Sequence, residues 1–135
     1  FTSLPDLSNL TKLNVLMLYN CQLQIMPDVS KMSNLTQLAL GVNKIKEVSQ
    51  LSGNPNLNTL ELQDNQITSL PDFSVSKSKL KILKVNKNKL ESLPDLSGFI
   101  ELDTLYVQEN KLTFEDIIPL TRQSGIVNLK YAPQD

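Results

Sequence analysis

The sequence contains no histidine, no tryptophan and a single cysteine. The absence of histidine excludes Ser-His and Cys-His nucleophilic pairs, imidazole acid-base chemistry near neutral pH and zinc sites with a histidine ligand. The lone Cys21 excludes an internal disulfide and a CxxC site. No run of about 18 apolar residues occurs, so no membrane span is predicted. We therefore predict a protein that is not an enzyme and has no cofactor, catalytic residue or metal site.

The charged residues are almost balanced. The 135 residues include 13 basic and 14 acidic side chains, which gives a formal net charge of −1. Such a chain has no overall field to attract nucleic acid or an anionic membrane, so nucleic acid is not predicted as a partner. The identity of any partner must be read from local features.

Leucine is abundant, with 25 copies, and its spacing reveals an internal repeat. Five segments fit LxxLxLxxNxL closely, at offsets of 22, 22, 23 and 22 residues. They begin at Leu13, Leu35, Leu57, Leu80 and Leu102. A second shared element, of the type SLPDLS, occupies residues 3–8, 69–74 and 92–97. One phase kept over five copies predicts a stack of similar structural units.

Each copy predicts a short strand with one buried face, because its apolar residues alternate, as in Leu16-x-Leu18. Because the connections between successive strands have nearly the same length, the strands are expected to stack in parallel, with a spacing of about 4.8 Å. About 22 residues per unit leave little room for long helices, so 3₁₀ or extended segments are expected on the other side. The predicted fold is an α/β repeat solenoid that is curved, with a parallel sheet on its concave side.

The unit boundaries follow from the same spacing. We expect one domain over residues 1–135, with a partial repeat at 1–12 and repeats at 13–34, 35–56, 57–79, 80–101 and 102–123. A C-terminal cap is predicted at about 113–135, with a short helix that begins at a capping box of Thr113 and Asp116 and is disturbed by Pro119. Leu129 is expected on a sixth strand. Phe1 falls in phase with Leu23, so adjoining repeats or domains are expected.

Polar residues recur at two further places in the repeat. The aspartates of the PDLS-type segments, Asp6, Asp28, Asp72 and Asp95, are predicted to cap a single helical turn, with a row of calcium ligands as the weaker alternative. The second column follows each strand, where the chain leaves backbone groups without partners in the sheet. It consists of Cys21, Asn43, Asn65, Asn88 and Asn110.

The repeats with their LPDLS-type turns resemble leucine-rich repeat proteins, in particular bacterial secreted or surface proteins of this family. The resemblance implies a right-handed horseshoe and an asparagine ladder at the second polar column, with Cys21 as a buried structural thiol. It also implies a secreted or cell-surface location. The protein-phosphatase regulator subfamily, which is intracellular and has a similar repeat length, is the alternative and implies a cytoplasmic location.

Residues that alternate with the buried leucines are expected on the concave face. From them we predict a partner-binding surface made of Val15, Met17, Tyr19, Ala39, Val42, Glu61, Lys84 and Tyr106. The apolar members cluster in the first two repeats, as interaction surfaces do, although preceding sequence could also cover them. The predicted function is protein recognition. Carbohydrate adhesion, for which only Tyr19 and Tyr106 offer aromatic platforms, and a structural spacer are the alternatives.

Charge is unevenly distributed over the later repeats. Six lysines and no acidic residue lie within residues 77–89, whereas residues 91–135 hold eight acidic and three basic side chains. Lys84 and Lys87 are expected to lie beside Glu61 and Asp64 and to be screened by cross-strand pairing. Docking of an anionic protein or an acidic glycan on the lysines is the alternative.

Overall fold

A computed structural model of the protein describes residues 4–76, 79–123 and 125–135. The predictions for Phe1 and Lys77 concern residues outside these ranges. The described residues form one six-stranded sheet whose strand order is the chain order. Its strands are β1 (Val15–Met17), β2 (Gln37–Ala39), β3 (Thr59–Glu61), β4 (Ile82–Lys84), β5 (Thr104–Tyr106) and β6 (Asn128–Lys130). A 3₁₀ turn covers Ser74–Ser76, and a helix, α1, covers Phe114–Thr121.

All five strand pairs are parallel and in register with the sequence repeat. The central leucine of each strand therefore lies beside the central leucine of the next. This column consists of Leu16, Leu38, Leu60, Leu83, Leu105 and Leu129. The predicted parallel solenoid is confirmed.

Stacking of the turns builds a continuous apolar core. The strand leucines of β2 to β5 are fully buried, and Phe73 and Phe99, which lie between strands in the sequence, belong to the same core. In the first turn Leu13, Leu16 and Leu18 are only partly buried, because β1 has a neighbouring strand on one side. Burial thus comes from contact between successive turns, as expected for a solenoid.

The PDLS-type segments form tight turns closed by their aspartates. Oδ1 of Asp6 accepts a hydrogen bond from the amide of Ser8 at 2.8 Å, and Asp28, Asp72 and Asp95 make the same bond two residues on. The hydrogen bonds from Ser8 and Ser30 lower the pKa of Asp6 and of Asp28. The expected helical turn forms only at Ser74–Ser76 among the described residues, so elsewhere the aspartates close turns.

The second repeat, residues 35–56, lacks the Pro-Asp pair and is held in another way. Asn54 is fully buried, and its Nδ2 donates to the carbonyl oxygens of Val29 and Met32, each at 3.0 Å. A Cβ on the preceding Gly53 would lie 2.0 Å from the carbonyl oxygen of Ser30. Glycine is required because the two backbones touch. Neither role was predicted from the sequence.

The C-terminal cap contains the expected short helix. The amide of Thr113 donates to Oδ2 of Asp116 at 2.9 Å, which completes the predicted capping box. Contrary to the prediction, α1 continues through Pro119 to Thr121. Proline removes a single amide donor, and the burial of Ile117 and Leu120 against the core offsets that loss. The sixth strand then pairs with β5.

Candidate partner-binding surface

The solvent-facing side of the sheet presents side chains in columns that run across the strands. The first and third residues of each strand, and the second and third residues after it, make up this surface, called the concave face below. Its central column consists of Met17, Ala39, Glu61, Lys84, Tyr106 and Lys130. Because adjacent strands lie about 4.8 Å apart, neighbours in the column can contact each other directly.

The end of the concave face near β1 is apolar and exposed. Val15, Met17, Tyr19 and Val42 have exposed fractions of 43%, 53%, 40% and 43%. Val42 has a φ of 57°, a left-handed conformation that is unfavourable for a β-branched residue. These four members of the predicted surface therefore lie together and are accessible.

Ala39 was predicted to be exposed, and the structure shows that it is fully buried. Its methyl group is short, and the longer side chains of Met17 and Glu61 stand in register on either side of it. Alternation assigns a side chain to a face of the sheet but does not measure its height above that face. Ala39 lies on the concave face without contributing contact area.

A hydrogen bond spans the concave face above β2. The hydroxyl group of Tyr19 donates to Oε2 of Glu61, two turns away. The ring of Tyr19 covers Gly41, where a Cβ would lie 2.7 Å from Cε1 of Tyr19 and 2.9 Å from Nε2 of Gln63. Desolvation of the phenol, with a smaller contribution from the carboxylate of Glu61, raises the pKa of Tyr19.

A lysine from each neighbouring strand lies over the ring of Tyr106. Nζ of Lys84, on β4, is 5.3 Å from the ring centroid, and Nζ of Lys130, on β6, is 4.4 Å from it. Both distances are typical of cation–π contacts. The ring thus contacts two ammonium groups, one from each strand that flanks β5.

The predicted cross-strand ion pairs are absent from the part of the chain that the structure describes. Glu61 accepts its hydrogen bond from Tyr19, and Lys84 contacts Tyr106. Glu61 and Lys84 lie side by side on β3 and β4, as expected, but each side chain contacts a tyrosine and no ion pair joins them. Acidic and basic side chains of the central column are therefore adjacent without being ion-paired.

The second polar column makes the hydrogen bonds expected of a ladder. Oδ1 of Asn65 accepts from the amide of Ile45 at 2.9 Å, and its Nδ2 donates to the carbonyl oxygens of Leu40 and Leu62, each at 3.0 Å. Equivalent bonds are made by Asn43, Asn88 and Asn110. These bonds tie each turn to the one before it.

Cys21 begins this column and is half-buried, whereas full burial was expected. Its amide donates to Oδ1 of Asn43 at 3.0 Å, and its thiol lies 3.2 Å from the carbonyl oxygen of Tyr19. The thiol is part of the turn beneath Tyr19. Its partial exposure follows from its place in the first described turn.

A glutamine that was not predicted from the sequence ends the ladder. Oε1 of Gln134 accepts from the amides of Asn110 and Leu112, each at 3.2 Å, and its Nε2 donates to the carbonyl oxygens of Val107, at 3.0 Å, and Tyr131. Gln134 follows Asn110 by 24 residues. The longer side chain compensates for the irregular spacing, which is why a search for asparagine alone passes over it.

Neither a metal centre nor a membrane helix is found among the residues that the structure describes. No group of three or more His, Cys, Asp or Glu side chains is placed to hold a metal ion. None of the helical residues in the described ranges forms a segment long and apolar enough to cross a membrane.

Comparisons with known proteins agree with the geometry. A family model described as "Leucine rich repeat" matches residues 55–112, and one described as "Leucine Rich repeats (2 copies)" matches residues 33–75. Together they cover residues 33–112, more than half of the chain. The chain belongs to the leucine-rich repeat family. Among curated protein sequences, none matches it.

Solved structures of bacterial leucine-rich repeat proteins share the fold. An internalin (inlF) from Listeria monocytogenes is 29% identical, with a TM-score of 0.77, over 94% of this chain and 37% of that one. The functional domain of InlJ from the same species, which includes a cysteine ladder, is 28% identical, with a TM-score of 0.80, over 97% of this chain and 28% of that one.

A more distant structure supports the fold alone. A leucine-rich repeat protein from Leptospira interrogans is 24% identical, with a TM-score of 0.77, over 99% of this chain and 41% of that one. The chain thus spans between 28% and 41% of the length of these three proteins.

Proposed function

We propose that this leucine-rich repeat chain is a non-enzymatic recognition module that binds a partner protein on its concave face. One observation carries the proposal: register across the sheet brings exposed Met17 into one surface with Glu61, Lys84 and Tyr106. Interfaces are rich in such aromatic residues and methionine. The exposed Val15, Tyr19 and Val42 extend the same surface.

The predicted surface is retained with two changes. Ala39 supplies no contact area, because it is buried between its neighbours. Lys130, which was not among the predicted residues, joins the surface through its contact with Tyr106. The resemblance to bacterial secreted and surface proteins supports a secreted or cell-surface location for this chain.

Carbohydrate adhesion is the weaker alternative. Sugars stack on the faces of aromatic rings, and the ring of Tyr106 already carries a lysine from each neighbouring strand. Tyr19 lies across Gly41 and is hydrogen-bonded to Glu61. Both predicted platforms are therefore engaged within the chain, which favours a protein partner.

The test is a binding screen of the chain against a protein array and a glycan array, followed by two matched double variants. M17E/Y106A alters the concave face, and I25E/I100A makes comparable changes at exposed apolar residues outside the sheet. A protein ligand whose Kd rises about tenfold or more only with M17E/Y106A supports the proposal. Protein ligands unaffected by M17E/Y106A contradict it, and glycan binding lost with Tyr106→Ala favours the alternative.

A further inference from the structure

In the central column of the concave face, one acidic residue is followed by two lysines. Near its middle, Glu61 is engaged by the hydroxyl of Tyr19. Towards β6, Lys84 and Lys130 converge on the ring of Tyr106, so three adjacent strands present two positive charges and no negative one in the central column. A balanced net charge over the whole chain conceals this local excess.

The two lysines are held together without being neutralised. A cation–π contact orients an ammonium group but leaves its formal charge in place. Among the residues that the structure describes, no carboxylate forms an ion pair with Lys84 or with Lys130. Two like charges beside one ring create a local positive potential that an added anion would relieve.

We propose that this cluster, defined by Lys84, Tyr106 and Lys130, receives the carboxylates of an acidic segment of a protein partner. The inference rests on the proposed function and adds the chemistry of the partner. Charge complementarity supplies the attraction, as it does at other protein interfaces. Lysine ammonium groups offer several N–H donors each, which suit carboxylate oxygens.

The geometry favours a peptide over an acidic glycan. Lys84 and Lys130 lie on strands separated by β5, so their backbones are about 9.6 Å apart, twice the strand spacing. An extended peptide places alternate side chains about 6.6 Å apart, within reach of two flexible lysines. The exposed apolar group around Met17 lies on the same face and suits apolar side chains of the same partner.

The test uses a capped hexaglutamate peptide as the probe, titrated into the isotopically labelled chain and followed by NMR. The parent is compared with K84Q/K130Q and with K44Q/K111Q, which removes two positive charges from exposed lysines outside the strands. Both variants therefore have the same net charge, so a difference between them reports position and not overall charge.

We expect saturable shifts at β4, β5 and β6, with a Kd that rises about fivefold or more in K84Q/K130Q and stays within about twofold of the parent in K44Q/K111Q. The parent Kd should also rise with added salt. Tyr106→Phe should retain binding, whereas Tyr106→Ala should weaken it, because only the first keeps a ring that positions the lysines. The NMR spectrum of each variant shows directly whether it is folded.

Equal Kd values for the parent and K84Q/K130Q, or no saturable binding, would overturn the inference. Binding of a heparin hexasaccharide through the same lysines, without binding of hexaglutamate, would overturn it in favour of an acidic glycan. Failure of the lysine cluster to bind carboxylates can be distinguished from failure of the proposed function. Hexaglutamate reports only the lysine cluster, whereas loss of an array ligand with Met17→Glu alone reports the concave face as a partner surface.

Discussion

Tyr19 is hydrogen-bonded to Glu61 although a whole repeat lies between them in the sheet. The bond passes above β2, where Gly41 has no side chain and Ala39 has only a methyl group. A Cβ at position 41 would lie 2.7 Å from the ring of Tyr19. Two small residues, one at the end of β2 and one just beyond it, thus let residues of the flanking turns meet.

This pairing predicts that Glu61→Gln lowers the pKa of Tyr19. The carboxylate stabilises the neutral phenol, so its removal leaves desolvation as the main cause of the raised pKa. The measurement is a titration of tyrosinate absorbance in a Y106F/Y131F background, where Tyr19 is the remaining tyrosine. A Tyr19 pKa unchanged by Glu61→Gln would show that the hydrogen bond does not form in solution.

The raised pKa of Tyr19 also determines how the stability of the fold depends on pH. The pKa of Tyr19 is raised in the folded chain above the ordinary value of 10.0. The folded state therefore binds the phenol proton more tightly, and its contribution is fully present below pH 10.0 and is lost as the pH rises through the folded pKa. Tyr19→Phe removes this dependence, so the parent and the variant should diverge in alkaline unfolding experiments.

The ladder predicts a large effect of a single buried amide. Asn65→Ala leaves the amide of Ile45 and the carbonyl oxygens of Leu40 and Leu62 without this partner, and we expect the free energy of unfolding to fall by about 1 to 3 kcal/mol. Urea denaturation measures the change. Asn14→Ala, at an exposed side chain, is the control and should be nearly neutral. An Asn65→Ala variant that unfolds together with the parent would contradict the ladder's role.

The solenoid could be predicted from the sequence because its repeat is long and phased. Each strand could be located because core-facing and solvent-facing residues alternate around a central leucine, as at Leu38, Leu60 and Leu83. The register follows from the constant spacing of these leucines. Each turn packs only against the turns next to it, so the pattern within one repeat is enough to predict the fold of the whole stack. The same regularity fixed which side chains belong to the concave face.

Contacts between side chains on that face were not predictable in the same way. Sequence spacing correctly placed Glu61 beside Lys84, but Glu61 is hydrogen-bonded to Tyr19 because a tyrosine can reach over a glycine. Burial of Ala39 likewise depends on the lengths of the side chains beside it. Such contacts depend on the lengths of neighbouring side chains and on which partners compete for them, and the repeat pattern contains neither.

The end of the ladder predicts a specific role for Gln134. Gln134→Ala leaves the amides of Asn110 and Leu112 without an acceptor, and we expect a loss of about 1 to 2 kcal/mol in the free energy of unfolding. Hydrogen exchange at these two amides should accelerate selectively. Asp135→Ala is the control, since the bond from this residue to Asn110 is made by its backbone amide. Unchanged exchange at both amides would show that Gln134 does not accept hydrogen bonds from them in solution.

From the backbone conformation of Val42 we predict a stabilising substitution on the concave face. Its φ of 57° is unfavourable for a β-branched residue, whereas asparagine tolerates the left-handed region. Asn20 adopts the same conformation, with a φ of 52°, at the equivalent position one turn earlier. We expect Val42→Asn to raise the free energy of unfolding by about 1 kcal/mol, measured by urea denaturation.

The control for Val42 is Val75→Asn. Val75 is comparably exposed, at 40% against 43%, and its φ is not in the left-handed region. It should gain nothing from asparagine, because no backbone strain is relieved there. If Val42→Asn also weakens binding of a concave-face ligand while it stabilises the fold, then valine is kept at this position for contact and not for stability, as strained residues at functional sites often are. A Val42→Asn variant no more stable than the parent would show that the φ of Val42 carries no strain.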